Sequence, residues 1–214
     1  MIRTLATLAL FAFGGLVFSA RAEPSFDCVK ATTKTEKHIC SDDGPITGGG
    51  HQWLDRQLAR LYAMAKQKIP KAQFAALVES QRRFLKERGA CDLAGAGCEI
   101  VEVYRKRLSE VARFVDVPDA FAIFKREYGE LQIARFGATA SVSIWTVGGN
   151  AHACQFEEDD LPQGGKGVVR FRRGNSQCRL DVIPDGDDLR VETHECFEFC
   201  GARASLDGMY RRTK

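Results

Sequence analysis

No apolar run in this sequence is long enough to span a membrane. Its most apolar stretch, Leu5 to Phe18, falls short of the roughly 20 residues a spanning helix needs. An excess of one charge is missing too: 31 Lys and Arg face 28 Asp and Glu, for a formal net charge of +3. Such a balance gives no global field to gather nucleic acid or an anionic bilayer, so electrostatic recognition has to be local. Catalytic signatures are also missing. There is no Gly-x-Ser-x-Gly elbow, and Gly48-Gly49-Gly50 is not followed by the Gly-Lys-Ser/Thr of a phosphate loop. Histidine is scarce, at four residues. The residues therefore point away from an enzyme and name no cofactor.

What is present is cysteine. Eight residues fall in two blocks, Cys28, Cys40, Cys91 and Cys98, then Cys154, Cys178, Cys196 and Cys200. An even number in two groups reads as two disulfide-braced modules made for an oxidising compartment. The start of the chain agrees. Arg3, the apolar stretch to Phe18 and the small residues of Ala20-Arg21-Ala22 predict a secretory signal over residues 1–22, cleaved before Glu23. Cleavage would remove Arg3 and Arg21 and no acid, lowering the formal charge to +1. A periplasmic or secreted protein with no stable membrane insertion is expected.

Residues 23–116 read as helices. Trp53, Leu54, Leu58, Leu61, Tyr62, Ala65 and Ile69 recur at helical spacing, with Asp55, Arg56, Arg60, Lys66 and Lys68 on the opposite face. Pro70 ends that helix or opens the next, which runs through Phe74, Leu77, Phe84 and Leu85 to Gly89. A shorter first helix, Thr33 to Cys40, has Thr32 or Thr33 as its cap, and a fourth runs from Cys98 through Val111. Four cysteines allow three pairings. Tying the first helix to the later hairpin favours Cys28–Cys98 with Cys40–Cys91.

Residues 117–214 read differently. One more short helix is expected over Asp119 to Tyr128. Alternation follows, in Ser141 to Ile144, Cys178 to Val182 and Leu189 to Glu192. Turn signals such as Gly148-Gly149-Asn150 and Pro184-Asp185-Gly186 separate these runs. The expected class is α+β, a disulfide-braced helical bundle followed by a small antiparallel β meander, barrel or sandwich. Cys154, Cys178, Cys196 and Cys200 are expected to pair among themselves. His152, His194 and neighbouring cysteines have zinc-ligand chemistry, but disulfides compete for the same sulfurs. Trp145 is read as a residue filling the barrel. Glu157, Glu158, Asp159 and Asp160 form an acidic run beside Pro162, expected in a solvated turn that engages a cationic groove on a partner.

The first module resembles the N-terminal domain of the LprI-type lysozyme inhibitor family. The resemblance rests on Phe26-Asp27-Cys28, Thr35-Glu36-Lys37, Ile39-Cys40-Ser41, Leu54-Asp55-Arg56-Gln57-Leu58, Leu61-Tyr62, Gln81 to Arg88, Cys91, Cys98 and Tyr104 to Leu108. It covers about residues 26–115, and the closing Cys200-Gly201 with Gly208-Met209-Tyr210 is similar to the β-rich tail many members carry. Gly44 to Gly50 departs from the family as an insertion, and Phe84 stands where Trp is common. The resemblance implies an inhibitor of lysozyme or another peptidoglycan hydrolase, acting by occluding its cleft. The alternative is an envelope interaction or structural protein with no lysozyme partner.

Overall fold

The computed structural model describes residues 23–41, 50–91, 99–149, 151–172, 174 and 176–213. The signal segment and Cys98 lie outside the described residues. Four helices come first: α1 (Lys34–Ser41), α2 (His51–Lys68), α3 (Lys71–Ala90) and α4 (Ile100–Ala112). Thr33 caps α1 by accepting from the Glu36 N–H at 3.1 Å. The Glu36 carboxylate returns two bonds, accepting from the N–H groups of Thr32 and Thr33 at 3.0 Å each. This capping box satisfies donors that a helix start leaves open, and these backbone donors hold the Glu36 pKa below its ordinary value. Pro70 both ends α2 and precedes α3, since its fixed φ suits a helix start but its missing N–H cannot continue one.

The apolar stripe of α2 behaves as its spacing predicts. Trp53, Leu54, Leu58, Leu61 and Ala65 are buried, joined by Tyr104, Leu108 and Val111 of α4. Asp55, expected on the solvated face of α2, is instead buried within this layer, where its partners satisfy it. Its carboxylate accepts from the Tyr104 hydroxyl at 2.7 Å and from the Ser25 N–H at 2.8 Å. Burial first, and the Asp55 charge second, push the Tyr104 phenol far above its usual pKa.

Eight antiparallel strands follow: β1 (Phe121–Arg126), β2 (Gly129–Arg135), β3 (Thr139–Val147), β4 (Ala153–Pro162), β5 (Val169–Arg172), β6 (Arg179–Asp185), β7 (Asp188–His194) and β8 (Gly208–Arg212). Their order, β4-β3-β2-β1-β8-β7-β6-β5, makes sequence neighbours into spatial neighbours and returns β8 to β1. The Gln163–Val169 bridge joins the two outer strands, so the meander rolls into a nearly closed barrel. Its interior is filled from alternate positions, including Phe124, Leu131, Ile133, Val142, Ile144, Phe156, Phe171, Val182, Val191 and Tyr210.

Two expectations are corrected here. The helix expected over Asp119 to Tyr128 is strand β1 and the turn after it. The reason is burial on both faces: Ala122 and Phe124 face the barrel, while Phe121 joins the helical core with Ala134 of β2. A strand covered on both sides loses its alternation and cannot be told from a buried helix by period. Trp145 likewise does not fill the barrel. It is half-buried on the β3 face opposite Val142 and Ile144, paired in register with Glu130. That outer face receives the helices, with Arg105 of α4 ion-paired to the buried Glu130.

Candidate functional site

The three disulfides whose partners are described each lie within one module. Cys28 bonds Cys40, with Cα atoms 5.7 Å apart. This overturns both Cys28–Cys98 and Cys40–Cys91. The short 3-10 turn Cys28–Lys30 leads into α1 so directly that the helix end folds back onto its own entry. Cys91 is buried and also disulfide-bonded. In the barrel, Cys154 bonds Cys200 and Cys178 bonds Cys196, at Cα separations of 4.0 and 4.3 Å. The sulfurs of the conceivable zinc set are therefore engaged in disulfides. Disulfides in both modules fit export to an oxidising compartment. Among the described residues no helix is long and apolar enough to cross a membrane.

The acidic run does not sit in a solvated turn. Glu157, Glu158, Asp159 and Asp160 belong to β4 and mostly face the helical layer. A β-bulge places them there: Asp159 and Asp160 together oppose one residue of β3 between Ala140 and Val142, and Asp160 adopts φ 55°. Opposite stand Arg56 and Arg60, one turn apart on α2 and so on one face. Arg56 donates to Asp159 at 2.9 Å and to Glu157 at 3.0 Å. Gln57 donates to Asp159 at 2.8 Å. Arg60 pairs with Asp160, donates to the Ser141 hydroxyl at 2.9 Å, and lies 3.7 Å from the centroid of the Phe136 ring. Glu158 pairs in register with Val142. Three of the four carboxylates thus clamp α2 onto the barrel.

A different surface, at one end of the barrel, carries exposed aromatic side chains. Both barrel disulfides lie at the end where β1 turns into β2 and β3 into β4. The segment from Glu195 to Asp207 crosses that end and is tied down along its length. Cys196 and Cys200 anchor it to β6 and β4. Gly201 N–H donates to the Ala153 carbonyl at 2.8 Å, and Thr146 Oγ1 donates to the Ser205 carbonyl at 2.9 Å. The Asp207 carboxylate accepts from the Thr193 hydroxyl at 2.8 Å and from Ser205 at 2.6 Å. Gly201 is required by proximity, since a Cβ there would stand 2.8 Å from His152 Nδ1. His152 and Gly201 meet on this rim.

Between the two cysteines, a 3-10 turn spans Phe197–Phe199 and splits its aromatics. Phe199 packs inward, edge to face against Phe156 and Phe171 at centroid distances of 5.1 and 5.8 Å. Phe197 stands outward, 82% exposed. Glu195 and Glu198 flank it, with Glu198 held by the Ser176 hydroxyl at 2.7 Å. Tyr128, on the β1–β2 turn at the same end, is exposed as well. An aromatic held rigidly in water by a doubly braced loop can insert into a cleft without first paying much ordering entropy. No periodic pattern marks Phe197 in the sequence. Its signal was the spacing itself, a Cys-x-x-x-Cys containing two phenylalanines. No protein-family model and no curated protein matches this chain.

Proposed function

We propose that this protein is an exported binding protein, periplasmic or secreted, that docks through the Phe197 rim and occludes the cleft of a lysozyme-type peptidoglycan hydrolase. The observation that carries the docking surface is Phe197, 82% exposed yet fixed between two disulfide-bonded cysteines. Buried aromatic anchors dominate interface energies, and a loop already in its bound shape keeps that energy as affinity. The flanking carboxylates of Glu195 and Glu198 suit a basic partner. The hydrolase itself is supported by the resemblance of the helical module. Because Glu157, Asp159 and Asp160 are committed to α2, the role expected of that run passes to the rim.

The test is a cell-wall clearing assay, with oxidised protein titrated against lysozyme beside a reduced and alkylated control. Dose-dependent inhibition, lost on reduction and lost in Phe197→Ala at unchanged thermal stability, is expected. No inhibition at high molar excess of folded protein would reject the hydrolase and direct the search to envelope proteins of the same cell.

A further inference from the structure

At the end of the barrel opposite the Phe197 rim, inward positions converge on a cleft of about 350 Å³. That volume falls at the lower end of the range for small-molecule sites, about 300–1,000 Å³. Buried Phe124 and Leu189 line it. Along β2 the inward positions run Leu131, Ile133 and then Arg135, so an arginine takes the place of the next core side chain. Arg135 is only 9% exposed. Its guanidinium donates from Nη1 to the Asp119 main-chain carbonyl at 3.2 Å, and among the described residues no carboxylate stands within ion-pair distance of it. The Asp119 carboxylate is already held by Arg212, at 3.1 Å through Nη1 and 2.5 Å through Nη2. Burial depresses the Arg135 pKa, outweighing the nearby Asp119 charge, which raises it.

Two further features of the cleft have a definite sign. Gln163, just beyond β4, lines it with a buried Oε1 that has no hydrogen-bond partner. The lining also holds four aspartates against two arginines. A bare anion would meet a lining of net negative charge, and a bare cation would give Arg135 no direct ion-pair partner. A molecule carrying both charges answers both.

The geometry points to a binding site for a small zwitterion, a free amino acid or dipeptide, with its carboxylate on Arg135 and its ammonium toward Asp187. This site is independent of the rim and of any hydrolase.

Thermal unfolding and calorimetric titration of the oxidised protein test it, using the common amino acids and alanyl-alanine. N-acetylalanine and alanine amide serve as single-charge controls. At least one zwitterion is expected to raise Tm and to bind about tenfold more tightly than either control, the scale of one lost charge-assisted hydrogen bond. Arg135→Gln is expected to abolish that response. Asp187→Asn, at an exposed turn, is expected to weaken it about tenfold without touching the fold, and so decides the matter if the first variant fails to fold. The proposal is overturned if no zwitterion binds, if N-acetylalanine binds as well as the zwitterion, or if binding survives in a folded variant unchanged.

Discussion

Replacing Arg56 by alanine tests the coupling of the two layers, because one guanidinium bridges them. It donates to Asp159 at 2.9 Å and Glu157 at 3.0 Å, and its side chain is 14% exposed. A hydrogen bond to a charged group contributes about 1.5–3 kcal/mol. Two such bonds, discounted for the partial exposure of the acids, give about 3 kcal/mol. Part of that loss is the cost of leaving the Asp159 and Glu157 carboxylates without their guanidinium beside α2. For a domain of this size about 1 kcal/mol lowers Tm by about 2–4 °C, so Arg56→Ala should fall by about 6–12 °C. The assay is far-UV circular dichroism on heating oxidised protein, with Arg190→Ala as control. Arg190 pairs with Glu192, but both side chains are about half exposed, and its removal should shift Tm by about 1 °C or less. Arg56→Ala and Asp159→Ala should also be non-additive by about 1–2 kcal/mol, as contacting charges are. An Arg56→Ala protein melting within about 1 °C of wild type would refute the clamp.

Tyr104→Phe removes a hydroxyl that donates to Asp55 at 2.7 Å and accepts from Arg88 at 2.9 Å, and should cost about 2 kcal/mol in denaturant unfolding. Removing both Cys154 and Cys200 opens a link across 46 residues and should cost about 4 kcal/mol, against about 3 for Cys178 with Cys196 across 18. Chemical denaturation of the two double-alanine variants checks the order. The hydrogen bond from Arg212 holds the Asp119 carboxyl below its ordinary pKa, so its contribution is present above the usual aspartate range and fades as pH falls through the lowered value. The stability gap between wild type and Asp119→Asn should therefore close in acid. A gap that stays constant down the acid limb would contradict the pairing.

How much could be read from the sequence varied with burial. Helix α2 was legible because one face is solvated, so that Trp53, Leu58 and Leu61 stand out against Arg56 and Lys66. Strands β6 and β7 were legible for the same reason, with Leu180 and Val182 buried between more exposed neighbours. Strand β2 was not, since all its residues from Gly129 to Arg135 are buried, one side under the helices. The acidic run was seen, but its setting was not. A bulge at Asp160 and two arginines about a hundred residues upstream decide where those carboxylates go, and neither leaves a local pattern. The pairing of Cys154 with Cys200 and Cys178 with Cys196 inside the second module followed from grouping, but the partners themselves needed the strand order.

The central claim is that the braced rim is the docking surface. Amide hydrogen exchange, followed on the oxidised protein with and without excess lysozyme, reads that surface directly. The account predicts new protection confined to the segment Glu195 to Ala204 and the Tyr128 turn, with β4 from Glu157 to Asp160 unchanged because it is already held against α2. Protection on the helical layer alone, or no change anywhere, would contradict it.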